Sequence, residues 1–416
     1  MILKRCNMLD KAQQLAREWA HAPRWKGIIR EYSPEDVIRL SGSMAIEHTL
    51  AKQGSVLLWE LLQRQEPVFA LGALTGMQAV QMVRAGFKAI YCSGWQVAAD
   101  ANEAGEMYPD FSLYPSNSMP LLVKRINASL RRADAIDFAE SKRALHYFVP
   151  IIVDGEAGFG GILNVFELTK WLIEAGVAGV HFEDQHPSAK KCGHMRGKVL
   201  LSIKEAIDKL KAARLAADIS GVPTLIIART DADGASFLSA LEEDQRDRQF
   251  IERRTEEGLY AIKGGVDLAI ARALAYAPYA DIIWYESSKP DLSRAGRFAQ
   301  ALHRAFPGKL LAYNCSSSFY WKEEMKEEQL RNFQKELFSL GYKLQVISLA
   351  GFHALCYGSF KLAHACAEQG LLAYAEFQEK ERGAATQGFS AFNHQQEVGA
   401  AYFERVYETI MGRKER

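Results

Sequence analysis

Two carboxylates stand directly after a short apolar segment, at residues 149–153, in a segment that also contains four glycines. Asp154 and Glu156 begin the sequence DGEAGFGG, residues 154–161. Carboxylate oxygens are ligands that Mg²⁺ prefers, and Mg²⁺ usually takes only one or two of them and keeps several waters. Glycines let the backbone turn tightly and approach an anionic substrate closely. The segment predicts a magnesium site, although a strand end followed by a flexible surface loop would be a simpler interpretation.

A second acidic pair follows the next apolar segment, at residues 179–182. Glu183 and Asp184 repeat the arrangement of the first pair, which makes a plain surface loop a weaker explanation of either segment. His181 stands beside them, but the spacing matches no zinc site built from paired Cys and His ligands. Magnesium, or manganese in its place, is the metal that the sequence favours.

A cysteine lies in a strongly basic segment, KKCGHMRG, at residues 190–197. Two lysines, a histidine and an arginine surround Cys192, so nearby positive charge should favour its thiolate. Gly193 and Gly197 predict a mobile lid over a site. Cys192 could be a nucleophile with His194 as its base, although residues two apart on an extended chain point to opposite faces. It could instead be a proton donor on a closing loop, or an incidental cysteine in a basic surface loop.

Cationic and neutral donors complete the set of chemically capable residues. Arg229 stands at a predicted strand end and suits two-point binding of a carboxylate. Residues 314–318, with the sequence NCSSS, offer amide and hydroxyl groups to a second carboxylate. Trp284 could shape the pocket or belong to the core. A divalent metal, a guanidinium, small donors and a mobile thiol suit a small polycarboxylate whose carbon–carbon or carbon–oxygen bond breaks through an enolate-like intermediate.

These residues need a scaffold that brings them together, and a repeating unit in the sequence predicts one. Short apolar segments lie at residues 67–71, 89–92, 149–153, 179–182, 224–228, 281–284, 309–312 and 344–349. Helix-like stretches between them include residues 165–175, 202–218, 264–275 and 293–306. Such segments are typical of buried parallel strands. Eight strands alternating with helices predict an α/β fold, a (β/α)8 barrel of the TIM type.

Chemically capable side chains follow the apolar segments immediately. They are Ser93, Trp95, Asp154, Glu156, Glu183, Asp184, Arg229, Asp231, Glu286 and Asn314. In a barrel these side chains meet at the C-terminal face, where barrel enzymes keep their sites. Because a structural protein has no reason to crowd carboxylates at that face, the pattern predicts an enzyme.

Helical regions flank the predicted barrel. We assign residues 1–60 to an N-terminal helical region, 61–355 to the catalytic barrel and 356–416 to a C-terminal helical region. Residues 231–265 are dense in charge, and we interpret them as a long solvated connection.

The composition argues against several classes of protein. A formal net charge of +1 over 416 residues gives no electrostatic reason to expect nucleic acid or an anionic membrane as a partner. No apolar run approaches the roughly 20 residues that span a bilayer, and we recognise no secretion signal. Six cysteines scattered through so large a chain indicate reduced thiols rather than a disulfide framework. We therefore expect a cytoplasmic protein.

Several motifs at these positions resemble those of the isocitrate lyase family. The KKCGH sequence of residues 190–194 is that family's signature and is highly specific. The accompanying motifs are YCSGWQVAADAN (residues 91–102), DGEAGFGG (154–161), HFEDQ (181–185), ARTDA (228–232), LLAYNCS (310–316) and HQQEVG (394–399). The resemblance spans about residues 10–412, nearly the whole chain.

The resemblance implies a magnesium-dependent retro-aldol cleavage of isocitrate to glyoxylate and succinate, the lyase step of the glyoxylate bypass of the tricarboxylic acid cycle. The implied metal site consists of Asp154, with Asp110, Glu156 and Glu183 near it. Cys192 is implied to protonate the succinate enolate, while His194 and Glu286 position the substrate and tune the thiol. Tyr91 is a candidate base for the substrate hydroxyl.

The resemblance also implies substrate-binding residues and an assembly. The implied binding residues are Ser93, Gly94, Trp95, Gly193, Arg229, Asn314, Ser316, Ser318 and Ser348. Of these, residues 93–95 should meet the glyoxylate portion, Arg229 a carboxylate, and the residues around Asn314 the succinate portion. Relatives are tetramers whose C-terminal helices exchange between neighbours, so we expect a homotetramer with helix exchange after residue 355.

Six positions depart from the family pattern. Arg196, Ser317, Tyr320 and Phe111 replace Gly, Pro, Asn and Gln, and Ser287 and Ser348 replace threonines. The smaller serines could admit 2-methylisocitrate, whereas the retained Trp284 and the KKCGH form of the signature favour isocitrate. A catalytically impaired homologue and a thiol hydrolase are also compatible with the sequence, and turnover that depends on Mg²⁺ would exclude both.

Overall fold

The computed structural model of the protein describes residues 2–141, 145–193, 195–241 and 245–412. The strands in these residues are β1 Val68–Gly72, β2 Ile90–Cys92, β3 Ile151–Asp154, β4 Gly179–Glu183, β5 Lys198–Leu200, β6 Leu225–Thr230, β7 Ala235–Leu238, β8 Ile251–Arg254, β9 Tyr260–Ile262, β10 Ile282–Tyr285, β11 Leu310–Asn314 and β12 Tyr342–Ile347. Eight of them form a closed barrel in the order β1-β12-β11-β10-β6-β4-β3-β2. All neighbouring pairs in the barrel are parallel. The predicted (β/α)8 barrel is confirmed.

Each of the eight apolar segments in the sequence becomes a barrel strand, with small shifts at the ends. The last segment shifts most, from the predicted residues 344–349 to Tyr342–Ile347. Tyr342 is fully buried, and its hydroxyl donates to the Ala295 carbonyl at 2.9 Å. The strand therefore begins where its first side chain can pack against the helical layer, and the two residues after Ile347 form a turn.

Alternate residues of the strands pack into two separate cores. Along β3, Ile152 packs inside the barrel with residues such as Leu225 of β6. Its neighbours Ile151 and Val153 point outward and pack against the surrounding helices. Because both faces of the sheet are buried, each strand is a continuous apolar segment, which is why the sequence reveals it.

Helices surround the barrel and extend it at both ends of the chain. They are α1 Ile2–His21, α2 Pro34–Leu40, α3 Thr49–Leu62, α4 Gly76–Arg84, α5 Gly94–Asp100, α6 Ser118–Ala139, α7 Ile162–Ala175, α8 Ile203–Ile219, α9 Val266–Tyr276, α10 Leu292–Ala305, α11 Trp321–Glu324, α12 Glu327–Ser339, α13 Ala350–Gln369, α14 Leu371–Gly383, α15 His394–Glu397 and α16 Ala400–Ile410. The four helix-like stretches read from the sequence correspond to α7, α8, α9 and α10. No helix in the described residues combines the length and the apolar character needed to span a bilayer.

A second, smaller sheet shows that the expectation of a solvated connection at residues 231–265 is wrong. Its order is β5-β7-β9-β8, and three of its four strands lie in that interval. Its strands have only three or four residues each, too few to show an alternating pattern. The strand β5 begins directly after the segment of residues 190–197, here called the Cys192 loop, and pairs in parallel with β7. This sheet depends on contacts between distant segments, which the local sequence does not reveal.

The N-terminal helices close the end of the barrel opposite to the predicted site. Leu58 of α3 packs into the inner core of the barrel. Arg24 forms an ion pair with Asp281, the residue before β10, and Arg214 donates to the same carboxylate at 2.5 Å. The guanidinium groups of Arg24 and Arg214 lie 4.6 and 5.4 Å from the ring of Trp25. Buried charges at this end are thus matched by an opposite charge and an aromatic face.

The two long helices after the last strand bury almost no surface within the chain. Gly351 is the only buried residue of α13, and Ala373 is the only one of α14, two helices that the structure describes in full. Their exposed large apolar side chains are Leu355, Tyr357, Phe360, Leu371, Leu372, Tyr374 and Phe377. An exposed apolar surface of this size is typical of contact with another protein chain.

Candidate active site

A cavity lies at the C-terminal ends of the barrel strands. The residues lining it are Tyr91, Ser93, Trp95, Asp110, Asp154, Cys192, Gly193, Arg229, Glu286, Asn314, Ser316, Ser318, Ser348 and Leu349. All of them except Leu349 are site residues predicted from the sequence. Three further predicted residues, Gly94, Glu156 and Glu183, contact this lining. His194 lies outside the described residues.

Asp154, the last residue of β3, is held by two backbone N–H groups. Gly94 donates to Oδ2 at 3.0 Å, and Glu156 donates to Oδ1 at 2.8 Å. A Cβ atom at position 94 would stand 2.9 Å from Oδ2, so glycine is needed there. Burial raises the pKa of this carboxyl, but His181 and the cations of the site lower it to below its ordinary value. Asp154 therefore presents an ionised carboxylate to the cavity.

Glu156 lies behind Asp154 and is fully buried. The Tyr114 hydroxyl donates to its Oε1 at 2.7 Å, and the Ser112 hydroxyl donates to its Oε2 at 2.9 Å. Lys190 forms ion pairs with both Glu156 and Asp110. Burial, together with the Asp110 carboxylate, raises the pKa of Glu156 to about 7 although Lys190 opposes the change. One lysine is therefore not enough positive charge for these carboxylates.

Glu183, the last residue of β4, is in a similar position. Its Oε2 accepts a hydrogen bond from Gln185 Nε2 at 2.8 Å, and its Oε1 lies 3.2 Å from Arg229 Nη2. Burial raises the pKa of Glu183 well above its ordinary value despite the neighbouring guanidinium. A second buried carboxylate in the site is therefore short of positive charge.

The excess of carboxylates over cations fits a divalent metal ion. The five carboxylates are Asp110, Asp154, Glu156, Glu183 and Glu286, and the two cations are Lys190 and Arg229. No three His, Cys, Asp or Glu side chains among the described residues form a ready-made metal cluster. This combination suits Mg²⁺, which takes one or two carboxylates and completes its shell with water, better than Zn²⁺, which takes three or four protein ligands.

Arg229 in β6 presents its guanidinium to the cavity in a fixed orientation. Its Nε and Nη2 donate to Asp231 at 3.0 and 3.1 Å, and its Nε lies 3.7 Å from Glu286. Burial lowers the pKa of Arg229, but Asp231, Glu183 and Glu286 raise it well above its ordinary value. Arg229 is therefore a permanent, oriented cation of the kind that binds a carboxylate at two points.

Residues 190–193 cover the cavity from one side. At the start of this segment, the Gln185 side chain donates to the Lys191 carbonyl at 2.8 Å and accepts from the Lys191 N–H at 3.0 Å. Gly193 packs directly against Glu286 and Arg229, and a Cβ atom on it would stand 2.6 Å from Arg229 Nη2. A glycine after Cys192 is therefore what allows the segment to approach the cavity so closely.

The surroundings of Cys192 contradict the expectation of a stabilised thiolate. Burial, and then the Asp110 carboxylate that accepts a hydrogen bond from the thiol, raise the pKa of Cys192 above its ordinary value. Lys190 opposes this only in part, because its ammonium group is already paired with Asp110 and Glu156. Cys192 is therefore a neutral thiol, which favours the proton-donor interpretation over the nucleophile.

Tyr91 and His181 form a neutral pair at the base of the cavity. The Tyr91 hydroxyl lies 2.8 Å from His181 Nε2, and the two rings are nearly parallel. Burial, and then Asp154, raise the pKa of Tyr91 well above its ordinary value, and burial lowers the pKa of His181 to about 4. The phenol is thus protonated, and its role as a base stays a prediction. Trp284 packs on His181 and donates to Glu286 at 2.9 Å, so it supports the site from the core.

Neutral polar groups form the opposite wall. Asn314 Nδ2 donates to Glu286 Oε1 at 3.3 Å, while Asn314 Oδ1 is buried and has no hydrogen-bond partner among the described residues. The backbone N–H of Ser318 donates to Ser316 Oγ at 3.1 Å. This wall therefore offers polar groups without adding charge to the site.

Among the six departures from the family pattern, all of which the structure describes, only Ser348 lines the cavity. Ser287 instead lies 2.9 Å from the Tyr313 hydroxyl and donates to the Lys289 carbonyl at 2.8 Å. The hypothesis that both serines enlarge the pocket is therefore wrong for Ser287 and stays a prediction for Ser348.

Sequence reasoning missed several residues that hold the site in place. They are Ser112, Tyr114, Gln185, Lys190 and Lys198, all of which bind a charged or backbone group of the site. Lysines are rarely buried, so both lysines pass for surface charges in the sequence. The family signature contains Lys190 and could have drawn attention to it, whereas Lys198 carries no such signal.

Comparison with known proteins matches the chain to the model of the isocitrate lyase family over residues 12–256 and 252–414. Isocitrate lyase of Halalkalibacterium halodurans is 54% identical over 404 residues, covering 97% of this chain and 94% of that protein. Isocitrate lyase 1 of Mycobacterium tuberculosis is 53% identical, covering 96% and 94%. Isocitrate lyase of Escherichia coli K12 is 52% identical, covering 97% and 95%.

Solved structures share the fold at much lower identity. Oxaloacetate acetylhydrolase bound to 3,3-difluorooxalacetate has a TM-score of 0.61 at 21% identity, covering 88% of this chain and 99% of that chain. A structure of 2,3-dimethylmalate lyase has a TM-score of 0.54 at 21% identity, covering 82% and 96%. With the family model matched over almost the whole chain and relatives more than half identical, the chain belongs to the isocitrate lyase family.

Proposed function

We propose that the protein is a carbon–carbon lyase that cleaves isocitrate to glyoxylate and succinate, the reaction that the names of its relatives denote. The observation that supports this most directly is the position of the Cys192 thiol, which faces a cavity shared with Arg229 and Asp154. A neutral acid, a fixed guanidinium and a metal-binding carboxylate are three groups that a retro-aldol cleavage of a polycarboxylate uses, besides a base for the substrate hydroxyl.

Substrate binding would use charge at one side of the cavity and neutral donors at the other. Arg229 would bind a carboxylate at two points, because Asp231 holds the guanidinium in one plane. Ser93, Gly94 and Trp95 would meet the glyoxylate portion. The wall of Asn314, Ser316, Ser318 and Ser348 would bind the succinate portion, and the unpaired Asn314 Oδ1 suits a hydroxyl or a protonated group.

Asp154 would hold Mg²⁺, or Mn²⁺ in its place, with Asp110, Glu156 and Glu183 near it. When bound, the metal supplies Lewis-acid stabilisation of the negative charge that develops on the oxygens of the oxoacid product. The metal would also supply the positive charge that the buried carboxylates lack, which is why its loss should affect binding as well as turnover.

The thiol of Cys192 would finish the second product. When the carbon–carbon bond breaks, its electron pair stays on the succinate carbon, and the S–H proton is transferred to that carbon. A thiol whose pKa is raised holds its proton until this carbanion-like carbon forms. The oxoacid forms as the substrate hydroxyl loses its proton. Tyr91, the predicted base, is protonated in the fold, so it would accept that proton only while passing its own phenol proton to His181 Nε2, 2.8 Å away. His194 and Glu286 would position the substrate and the thiol.

The test is an assay of the purified protein with isocitrate and with 2-methylisocitrate, each with Mg²⁺ and with EDTA. We expect metal-dependent formation of glyoxylate that far exceeds formation of pyruvate. Comparable pyruvate formation would favour a 2-methylisocitrate-tolerant lyase, which the position of Ser348 in the cavity wall would explain. Absence of either oxoacid would favour a catalytically impaired homologue.

We also propose a cytoplasmic homotetramer whose C-terminal helices, in the assigned region 356–416, exchange between neighbours. The apolar side chains left exposed on α13 and α14 support this, because a second copy of the chain would cover them. Light scattering coupled to gel filtration should give the mass of four chains. Charged substitutions at the exposed Phe360 and Leu371 should shift the protein to smaller species, and an unchanged mass would contradict the exchange.

A further inference from the structure

Lys198 is a fully buried lysine at the point where the Cys192 loop joins the second sheet. It is the first residue of β5 and follows Gly197, whose N–H donates to Ser236 Oγ at 3.2 Å. Its side chain and that of Asp231 are both completely inaccessible to solvent. Lysine is almost never buried to this extent without a partner, so its position calls for an explanation.

The ammonium group of Lys198 forms an ion pair with Asp231, at 2.7 Å from Oδ1. The same carboxylate accepts both hydrogen bonds from Arg229, and the Asp231 backbone N–H donates to Asp184 at 2.8 Å. The carboxylate of Asp231 is thus shared between one cation at the end of the loop and one cation that faces the cavity.

The other contact between the loop and Arg229 is direct. Gly193 packs against the Arg229 guanidinium so closely that no Cβ atom would fit. Any rotation of Arg229 toward or away from Asp231 would therefore change the space available to the residue beside Cys192. The loop is therefore connected to the Arg229 guanidinium in two ways. Gly193 packs against it directly, and Lys198 is linked to it through the shared carboxylate of Asp231.

We propose that Lys198 is a positioning residue that ties the C-terminal end of the Cys192 loop to the orientation of Arg229 through Asp231. The inference rests on the proposed function in that Arg229 binds a substrate carboxylate. While Lys198 shares the charge of Asp231, part of the positive charge of Arg229 is available to the substrate. Without Lys198, Arg229 alone would neutralise Asp231, and the guanidinium would attract a substrate carboxylate less.

The experiment compares Lys198→Met with Lys198→Arg and with the control Lys309→Met. Lys309 is also largely buried, but its ammonium group donates to the carbonyls of Ala277 and Ala280 at the far end of the barrel. We expect Lys198→Met to raise KM for isocitrate about 10- to 100-fold, the range found when a metal-binding side chain loses its outer partner, with a much smaller change in kcat. Lys198→Arg should restore most of the affinity, and Lys309→Met should leave both constants at wild-type values.

A second measurement reports the accessibility of the Cys192 loop independently of catalysis. The rate at which iodoacetamide alkylates Cys192, read from the mass of its peptide in the absence of substrate, reports how often the loop opens. We expect the rate to increase in Lys198→Met and not in Lys309→Met. Removing the positive charge of Lys198 cannot make the thiolate more abundant, so an increase reports greater access to the thiol.

Wild-type KM and wild-type alkylation in a folded Lys198→Met protein would overturn the proposal. If that variant does not fold, the double variant Lys198→Met, Asp231→Asn removes both buried charges together. Arg229 then keeps its full charge but the loop loses its tie to Asp231, so the alkylation rate should rise while KM should not rise as it does in Lys198→Met. A wild-type alkylation rate in the double variant would overturn the proposal. If the wild-type protein does not cleave isocitrate, the proposed function fails, while the alkylation rates still decide the role of Lys198.

Discussion

The two ends of the barrel both bury charged side chains, but they use them differently. At the N-terminal end, Arg24 and Arg214 share Asp281 and lie against Trp25. At the C-terminal end, five carboxylates surround two cations, and burial leaves two of those carboxylates with raised pKa values. The carboxylate of the first arrangement has two cationic partners within the chain, whereas the carboxylates of the second lack positive charge that a metal ion can supply. The barrel thus separates residues for stability from residues for chemistry.

The largest expected effect concerns the C-terminal end of the barrel, where the candidate active site lies. Cys192→Ser should lower kcat by about 1,000-fold, the range for loss of a general acid, because a hydroxyl holds its proton more tightly than a thiol. Binding of isocitrate and the thermal midpoint should change little. Steady-state kinetics and thermal unfolding measure both properties. Turnover close to wild type would show that another group protonates the product, and Cys192 would then not be the acid of this site.

The next largest effect concerns the opposite end. Arg24→Met should lower the free energy of unfolding by about 3 kcal/mol, because the buried Asp281 loses one of its two charged partners and the guanidinium no longer packs on the rings of Trp25 and Trp59. The side chains of Arg24 and Asp281 are only 12% and 0% exposed. Urea unfolding measures the loss, and Arg39→Met, which removes an exposed pair with Asp36, is the control. A change in kcat or KM of the folded Arg24→Met protein would contradict the separation of roles.

A smaller effect on stability should appear as a dependence on pH. Burial lowers the pKa of Lys309, at the N-terminal end, to about 8, below the value of about 10.4 in an unfolded chain. The unfolded state therefore binds more protons between these values, so the free energy of unfolding should increase as pH rises from about 8 to about 10.4. Lys309→Met should remove about 2 kcal/mol of this increase, measured as the difference from wild type at each pH. If the free energies of unfolding of wild type and Lys309→Met change in parallel with pH, the pKa of Lys309 is not lowered in the folded protein.

The smallest expected effect again concerns the C-terminal end of the barrel, where Ser348 lines the cavity. Ser348→Thr adds one methyl group to the cavity wall, so it should lower the ratio of kcat/KM for 2-methylisocitrate to that for isocitrate by about tenfold. Ser287→Thr is the matched control, because Ser287 does not line the cavity. The thermal midpoint of both variants should stay near wild type. An equal change in the ratio for both variants would refute the assignment of Ser348 to the wall.

The sequence by itself determined the barrel strands and the residues at their C-terminal ends. A strand that is buried on both faces is a continuous apolar segment, and the direction of parallel strands sends every residue that follows such a segment to one end. Asp154, Glu183, Arg229 and Asn314 are therefore predicted together although they are far apart in the chain. The resemblance to the family added Tyr91, Asp110 and Ser348, whose positions carry no pattern of their own.

Only the tertiary structure decided the charge states and the supporting contacts. In the sequence Cys192 is surrounded by basic residues, yet in the fold its nearest charged partner is Asp110, and Lys190 is occupied elsewhere. The pKa of a side chain depends on desolvation and on charges within a few ångströms, and both come from segments distant in the sequence. For the same reason the burial of Lys198, the second sheet and the ion pair of Arg24 became known only from the folded chain.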